Sequence, residues 1–188
     1  MPNLVALLDA CVLYPVPIRD LLLQLASAEL YQPKWSSQIQ DEWSRNLLAN
    51  RTDLTAAQLQ RTITLMGAAF PDAEVKSYSA LIPTLTLPDT DDRHVLAAAL
   101  RGKAHVIVTA NLKDFPAPYL ATFGMERQHP DAFIEQLIVQ YPTQALAAFQ
   151  QQVAYLKNPP KTALEVLGSL RKSGLLTTAD RLATLLTA

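Results

Sequence analysis

Leu4-Val5-Ala6-Leu7-Leu8-Asp9 is the stretch that decides how the chain folds. The apolar run is too short for a helix and is apolar on both of its faces. That pattern suits the central strand of a parallel sheet covered on either side. It stops at a carboxylate. Pro15 and Pro17 mark a loop, after which Leu21, Leu22 and Leu25 recur at helical spacing and predict a helix over 19–30. Strand, loop and helix is the opening of an α/β fold.

The remaining chain is read outward from this start. Ser37 with Gln40, and Thr55 with Gln58, have capping-box spacing and open helices over 38–48 and to about residue 70, where Pro71 stops the second. Val75 is placed in a short strand. Leu85-Thr86-Leu87-Pro88 delivers the chain into Asp89-Thr90-Asp91-Asp92. A helix with Val95, Leu96, Ala98 and Ala99 apolar follows and ends at Gly102. His105-Val106-Ile107-Val108-Thr109 is β-branched and reads as the clearest strand, running into a loop over 110–116. Beyond about residue 129 only helical patterns remain, over 131–140, 142–156, 162–172 and 178–186. The expected organisation is an α/β domain over 1–129 and an all-α extension over 130–188.

Bulk properties narrow the function classes. The single cysteine, Cys11, excludes an internal disulfide framework and Cys-rich zinc sites, and fits a reducing cytoplasm. The apolar run near the N-terminus has no basic residue before it and is broken by Asp9, so it predicts neither a signal peptide nor a membrane span. The formal net charge of −1 at first argues against nucleic acid, whose binders carry a basic footprint. Four acids committed to a metal would leave the rest of the surface mildly positive, so charge alone does not decide.

In an open parallel sheet, ligands sit beyond the carboxyl ends of the strands. Asp9 directly follows the first strand, Asp114 follows the Val106–Val108 run, and Asp91 and Asp92 open a helix. Glu42 lies early in another helix. Each has an ordinary reading alone: a solvated loop acid, a turn residue, or a helix-dipole partner. Brought together, they would repel unless a cation neutralised them, and oxygen-only ligands select Mg²⁺ or Mn²⁺. No Walker A loop, HExxH or GxGxxG is present. Such an ion suits phosphodiester hydrolysis.

The blocks Leu8-Asp9-Ala10-Cys11-Val12-Leu13-Tyr14-Pro15, Trp35-Ser36 with Asp41-Glu42, Asp91 through Ala99, and Val108-Thr109-Ala110-Asn111-Leu112-Lys113-Asp114-Phe115 resemble a PIN domain. More closely they resemble the VapC-type toxins of bacterial toxin–antitoxin pairs that carry a C-terminal helical region. The resemblance covers about residues 3–130. It implies a three-layer α/β fold, with a short parallel sheet between helices, and often a homodimer. It places the catalytic acids at Asp9, Glu42, Asp92 and Asp114, with Asp9, Asp92 and Asp114 as metal ligands. Asp92 is preferred to Asp91 because Val95 and Ala97 stand three and five residues on; Asp91 is a helper or cap. Thr109 and Asn111 match residues that orient the last acid. Cys11 replaces the usual asparagine, which puts one supporting hydrogen bond in question. The implied activity is a Mg²⁺- or Mn²⁺-dependent endoribonuclease acting on tRNA or ribosomal RNA and silenced by a cognate antitoxin.

Arg19 and Lys113 are candidate RNA contacts. Trp35 and Trp43 could stack on bases but fit core packing better, and His94 reads as a helix-surface or core-rim residue. Cys11 reads as a small packed residue rather than a nucleophile. Three other functions stay open: a PIN-type nuclease in RNA processing or DNA metabolism, a non-catalytic RNA- or partner-binding module, and a phosphoacceptor domain. The last would want an acid pair after the first strand, which Asp9-Ala10 lacks.

Overall fold

The computed structural model describes residues 4–187. Met1, Pro2, Asn3 and Ala188, which fall within the expected domain bounds, lie outside the described residues. β1 (Val5–Leu8) is the predicted first strand. It pairs in parallel with β2 (Gln32–Lys34) on one side and β3 (Val106–Val108) on the other, and β3 pairs in parallel with β4 (Glu126–Gln128). The sheet order is therefore β2-β1-β3-β4. All of β3 and the last three residues of β1 are buried, which explains their unbroken apolar character.

The two outer strands escaped the sequence reading. Gln32-Pro33-Lys34 and Glu126-Arg127-Gln128 have neither an apolar run nor β-branched residues. Both are edge strands, where proline and charge are tolerated and pairing to a neighbour supplies the strand character. Val75 sits beside the sheet: Trp35 and Glu74 form an isolated parallel bridge, and Val75 donates its amide to the Trp35 carbonyl at 2.8 Å.

Two short crossovers bracket β1. α1 (Ala10–Leu13) and α2 (Val16–Ser27) lead to β2; α2 begins three residues before the predicted helix, with Pro17 accepted in its first turn. α3 (Ser37–Asn50) is capped by Ser36, whose side chain accepts from the Ile39 amide, and not by the Ser37–Gln40 pair expected. α4 (Ala56–Ala69) has the predicted Thr55–Gln58 capping box. After a 3-10 turn at Ser79–Thr84, α5 (Arg93–Arg101) packs on β1 and β3 through fully buried Ala97, Ala98 and Ala99. A Cβ on Gly102 would lie 2.8 Å from Val75 Cγ2, so the chain needs glycine there to approach the sheet. A second 3-10 turn (Leu112–Asp114) and α6 (Ala117–Ala121) join β3 to β4.

The remaining helices are α7 (Pro130–Gln140), α8 (Pro142–Tyr155), α9 (Ala163–Lys172) and α10 (Leu176–Thr187). They pack on the α/β part and share its core. α8 and α9 lie against α2, and Tyr31 meets Phe133 edge to face at 5.0 Å. Buried Gln152 donates to the Pro17 carbonyl at 3.1 Å. Asp131, in the first turn of α7, also caps α10. Its carboxylate accepts from the Thr178 amide at 2.8 Å and the Thr177 amide at 3.0 Å.

This clamp sets a prediction. Burial raises the Asp131 carboxyl, but the bonds from Thr178 and Thr177 outweigh it and leave the pKa below the ordinary 3.8. A depressed folded-state pKa stabilises above the ordinary value and loses that contribution as pH falls through the depressed one. Asp131→Ala is expected to cost about 0.5–2 kcal/mol at pH 7, the scale of a lost helix cap. In urea unfolding the gap to wild type should close in acid; a gap that is constant with pH would contradict the clamp.

Candidate metal centre

β1 lies where the sheet order turns: the chain leaves it to β2 on one side, and β3 returns on the other. Such a switch point opens a crevice at the strand ends. Asp9 stands at its floor, only 6% exposed. Its amide extends the ladder by donating to Val108 O at 3.1 Å. Its Oδ1 accepts from the Ala10 amide at 2.7 Å, capping α1. Its Oδ2 accepts from Thr109 Oγ1 at 2.8 Å and from Cys11 Sγ at 3.2 Å. Burial pushes the Asp9 carboxyl up, these bonds pull it back, and the Glu42 charge raises it again.

Asp92 occupies the N-cap position of α5 but makes no capping hydrogen bond. Its Oδ2 is buried with no hydrogen-bond partner among the described residues. Burial, then the charges of Asp9, Asp89 and Asp114, push its carboxyl up to about 6, with His94 pulling the other way. Asp114 ends the 3-10 turn after β3, and its Oδ2 accepts from the Asn111 side-chain amide. Asp89, Asp92 and Asp114 each offer a carboxylate oxygen, and the three lie within 4.8 Å of one another. Asp9, Glu42 and Asp92 line one cavity of about 460 Å³. Asp92 belongs to both groups and joins them.

The expected quartet thus converges, with several changes around it. Asp89, not Asp91, is the added acid beside Asp92. Asp91 is exposed, and it is its backbone amide that enters the network, donating to Asp89 Oδ1 at 2.9 Å. Asp89 stood in the same acidic stretch, Asp89-Thr90-Asp91-Asp92, and only the path of the loop brings it beside Asp92. Thr109 supports the first acid rather than the last: it is fully buried and donates to Asp9 while accepting from the Asn111 amide at 3.0 Å. Asn111 holds the last acid as expected. Cys11 keeps the supporting bond to Asp9 that its substitution put in question. Its thiol also accepts from the Ala110 amide at 3.3 Å, and burial followed by the Asp9 charge pushes its pKa to about 12. A thiol so hard to ionise is a donor here and not a nucleophile.

Arg19 is no RNA contact. It is 6% exposed, donates to the Leu13 carbonyl at 2.9 Å and stacks on Trp43 at 4.5 Å. It ties α1 to α3 beneath the site. Trp35 and Trp43 are core residues. Lys113 is exposed on the 3-10 turn beside Asp114. His94, read from the sequence as a helix-surface or core-rim residue, turns out to pair with Glu42. Buried on α5, it places Nε2 2.9 Å from Glu42 Oε1, which also accepts from Gln38 Nε2 at 3.4 Å. Nothing in the linear spacing says that α5 faces α3.

Residues 5–113 match the family model described as PIN domain. The chain belongs to the PIN-domain family. Residues 130–184 match a second model, described as the VapC50 C-terminal domain. Over 79 residues the chain is 40% identical to a Mycobacterium tuberculosis (strain ATCC 25618 / H37Rv) protein named "Putative ribonuclease VapC50", covering 42% of this chain and 47% of that protein. The match thus spans about half the length of that relative. No solved structure matches the chain. The α/β class with a parallel sheet and C-terminal helices is as the PIN resemblance implied. No helix among the described residues is long and apolar enough to cross a membrane.

The donor set of this PIN centre fits a hard divalent cation. It is all oxygen, one oxygen is buried and unpartnered, and the acids repel one another when ionised. A raised folded-state pKa means that protonation of Asp92 stabilises the metal-free fold. That contribution is full below 3.8 and gone once pH rises past about 6. In EDTA, Asp92→Asn should therefore match wild type near pH 4 and melt higher above pH 6. Mn²⁺ should raise the wild-type melting temperature at pH 7.5 and leave that of Asp92→Asn unmoved. Equal Mn²⁺ shifts in both proteins would contradict the assignment of Asp92 as a ligand.

Proposed function

We propose that the chain is a divalent-metal-dependent endoribonuclease, the toxin of a type II toxin–antitoxin pair. The observation that carries this reading is the buried, unpartnered Asp92 Oδ2 among acids gathered at the ends of the two central strands of a PIN fold. The relative whose printed name is a ribonuclease supports it. In this reading residues 1–129 carry the nuclease and 130–188 form a helical extension. RNA is the substrate, with tRNA or ribosomal RNA the targets, in the cytoplasm. A cognate antitoxin silences the centre, and a basic side chain of that antitoxin would compete with the metal for the acids. A homodimer is compatible with this reading, as the family resemblance implies.

Asp9, Asp92 and Asp114 would hold Mg²⁺ or Mn²⁺, with Asp89 alongside. The bound ion would ease deprotonation of water and neutralise charge on the phosphate. The chain's own residues do the rest. Thr109 and Cys11 fix Asp9 Oδ2, and Asn111 fixes Asp114. His94 and Gln38 occupy Glu42 Oε1, which leaves Oε2 to take the proton of the attacking water. Oxygen adds to phosphorus, the P–O bond to the leaving nucleotide breaks, and solvent returns a proton to the departing oxygen.

Purified protein with Mn²⁺ should cut single-stranded RNA at discrete sites, and EDTA should stop it. Asp92→Asn should abolish cleavage, and Glu42→Gln should slow it about 100-fold or more, the scale of lost general-base help. Both variants should keep the wild-type circular dichroism spectrum. Cleavage that survives EDTA or Asp92→Asn would overturn the mechanism, and cleavage of DNA in preference to RNA would move the chain to DNA metabolism.

A further inference from the structure

Away from the acidic centre, a second groove lies where α2, α8 and α9 pack together. It consists of two adjoining hollows of about 250 and 50 Å³ that share Asp20, Gln152 and Leu156. Leu23 and Tyr155 flank the larger hollow, and Val16 and Val166 the smaller. The groove shares no lining residue with the cavity of Asp9, Glu42 and Asp92.

Where the hollows join, two acceptors stand without a donor. Gln152 is 3% exposed. Its Nε2 donates to the Pro17 carbonyl at 3.1 Å, and turning the amide round would set two oxygens against each other. Its Oε1 is thereby fixed on the other side, buried and with no hydrogen-bond partner among the described residues. Asp20 is half-buried, and among the described residues its carboxylate makes no hydrogen bond or salt bridge. The charge that acts on it is that of Arg19, whose guanidinium is committed to the Leu13 carbonyl and the Trp43 ring. Burial accordingly pushes the Asp20 carboxyl up, and Arg19 pulls it back only in part. Lys161 borders the smaller hollow, but it is exposed and its charge acts on Glu165 instead.

We propose that this groove binds a primary alkylammonium ion, with its head between the Asp20 carboxylate and Gln152 Oε1 and its stem along Leu23, Leu156 and Tyr155. An ammonium carries three donors and no acceptor. Two of them satisfy the waiting oxygens, and the third is left to water. The stem leaves water for an apolar wall, which favours an alkylammonium over a hydrated ion. Mg²⁺ or Ca²⁺ would want six or more oxygens, and a wholly apolar guest would leave both acceptors unsatisfied. The ion is either a free diamine or the lysine side chain of another protein, since both present the same head and stem.

The test is calorimetric titration of the full chain at constant ionic strength with butylamine, putrescine and the peptide acetyl-Ala-Lys-Ala-amide. Butylamine should bind one to one, and at least about tenfold more tightly than K⁺ or butan-1-ol. Asp20→Asn and Gln152→Leu should each weaken it about tenfold or more, the scale of a lost hydrogen bond to a charged group. Tyr155→Ala, at an exposed position, should weaken it less. Asp92→Asn should bind as wild type does, because the metal centre is elsewhere. If circular dichroism shows Gln152→Leu misfolded, Asp20→Asn and Tyr155→Ala decide. Putrescine ahead of the peptide would mark the ligand as a free diamine, and the reverse order as a partner's lysine; either supports the site. Amine binding no tighter than K⁺, binding that survives Asp20→Asn, or binding lost in Asp92→Asn would overturn it.

Discussion

Everything around the centre follows from one carboxylate buried at the end of β1. An ionised acid out of water must be solvated by the protein or by a cation. Asp9 receives a helix-start amide, a hydroxyl and a thiol, which hold the side chain in place. Those donors come from both central strands' ends, so the site requires β1 and β3 to be neighbours. The sheet order that makes them neighbours is also what opens the crevice above them.

The second acid pays the electrostatic cost. Asp92 faces Asp9, Asp89 and Asp114 with an oxygen that no donor satisfies. An arrangement that strains the metal-free protein in this way is stabilised when a cation arrives. The same repulsion that raises the Asp92 carboxyl therefore gives the site its demand for positive charge. Glu42 is treated differently: His94 and Gln38 restrain it at the groove side, apart from the three-acid set. In the proposed mechanism the site separates acids that would hold an ion from Glu42, which would take the proton of water. Structural ties run outward from here, through Arg19 between Leu13 and Trp43, to α2 and the C-terminal helices packed on it.

Legibility in the sequence followed burial. β1 and β3 were plain because their residues are apolar throughout, and α5 because its apolar residues recur on one face. Asp9 was plain because it ends the first apolar run, and Asp92 and Asp114 because they stand at the start of α5 and after β3. β2 and β4 were not, because an edge strand owes its existence to the neighbour it pairs with. Arg19 looked like a surface cation because nothing local reveals that Trp43 folds beneath it. Asp91 and Asp89 could not be separated by spacing, since which of them turns toward Asp114 depends on the path of the loop before α5.

The sequence by itself determined the α/β beginning, the helical ending and the positions of the principal acids, since hydrophobic periodicity and its interruptions are local properties. Only the tertiary structure decided what those acids do to one another. Distances among Asp9, Glu42, Asp92 and Asp114 are set by strand order and by α3 and α5 meeting across the crevice. So are the His94–Glu42 pair and the Thr109 and Cys11 support of Asp9. Electrostatic interaction falls with separation in space, and separation in sequence does not fix it.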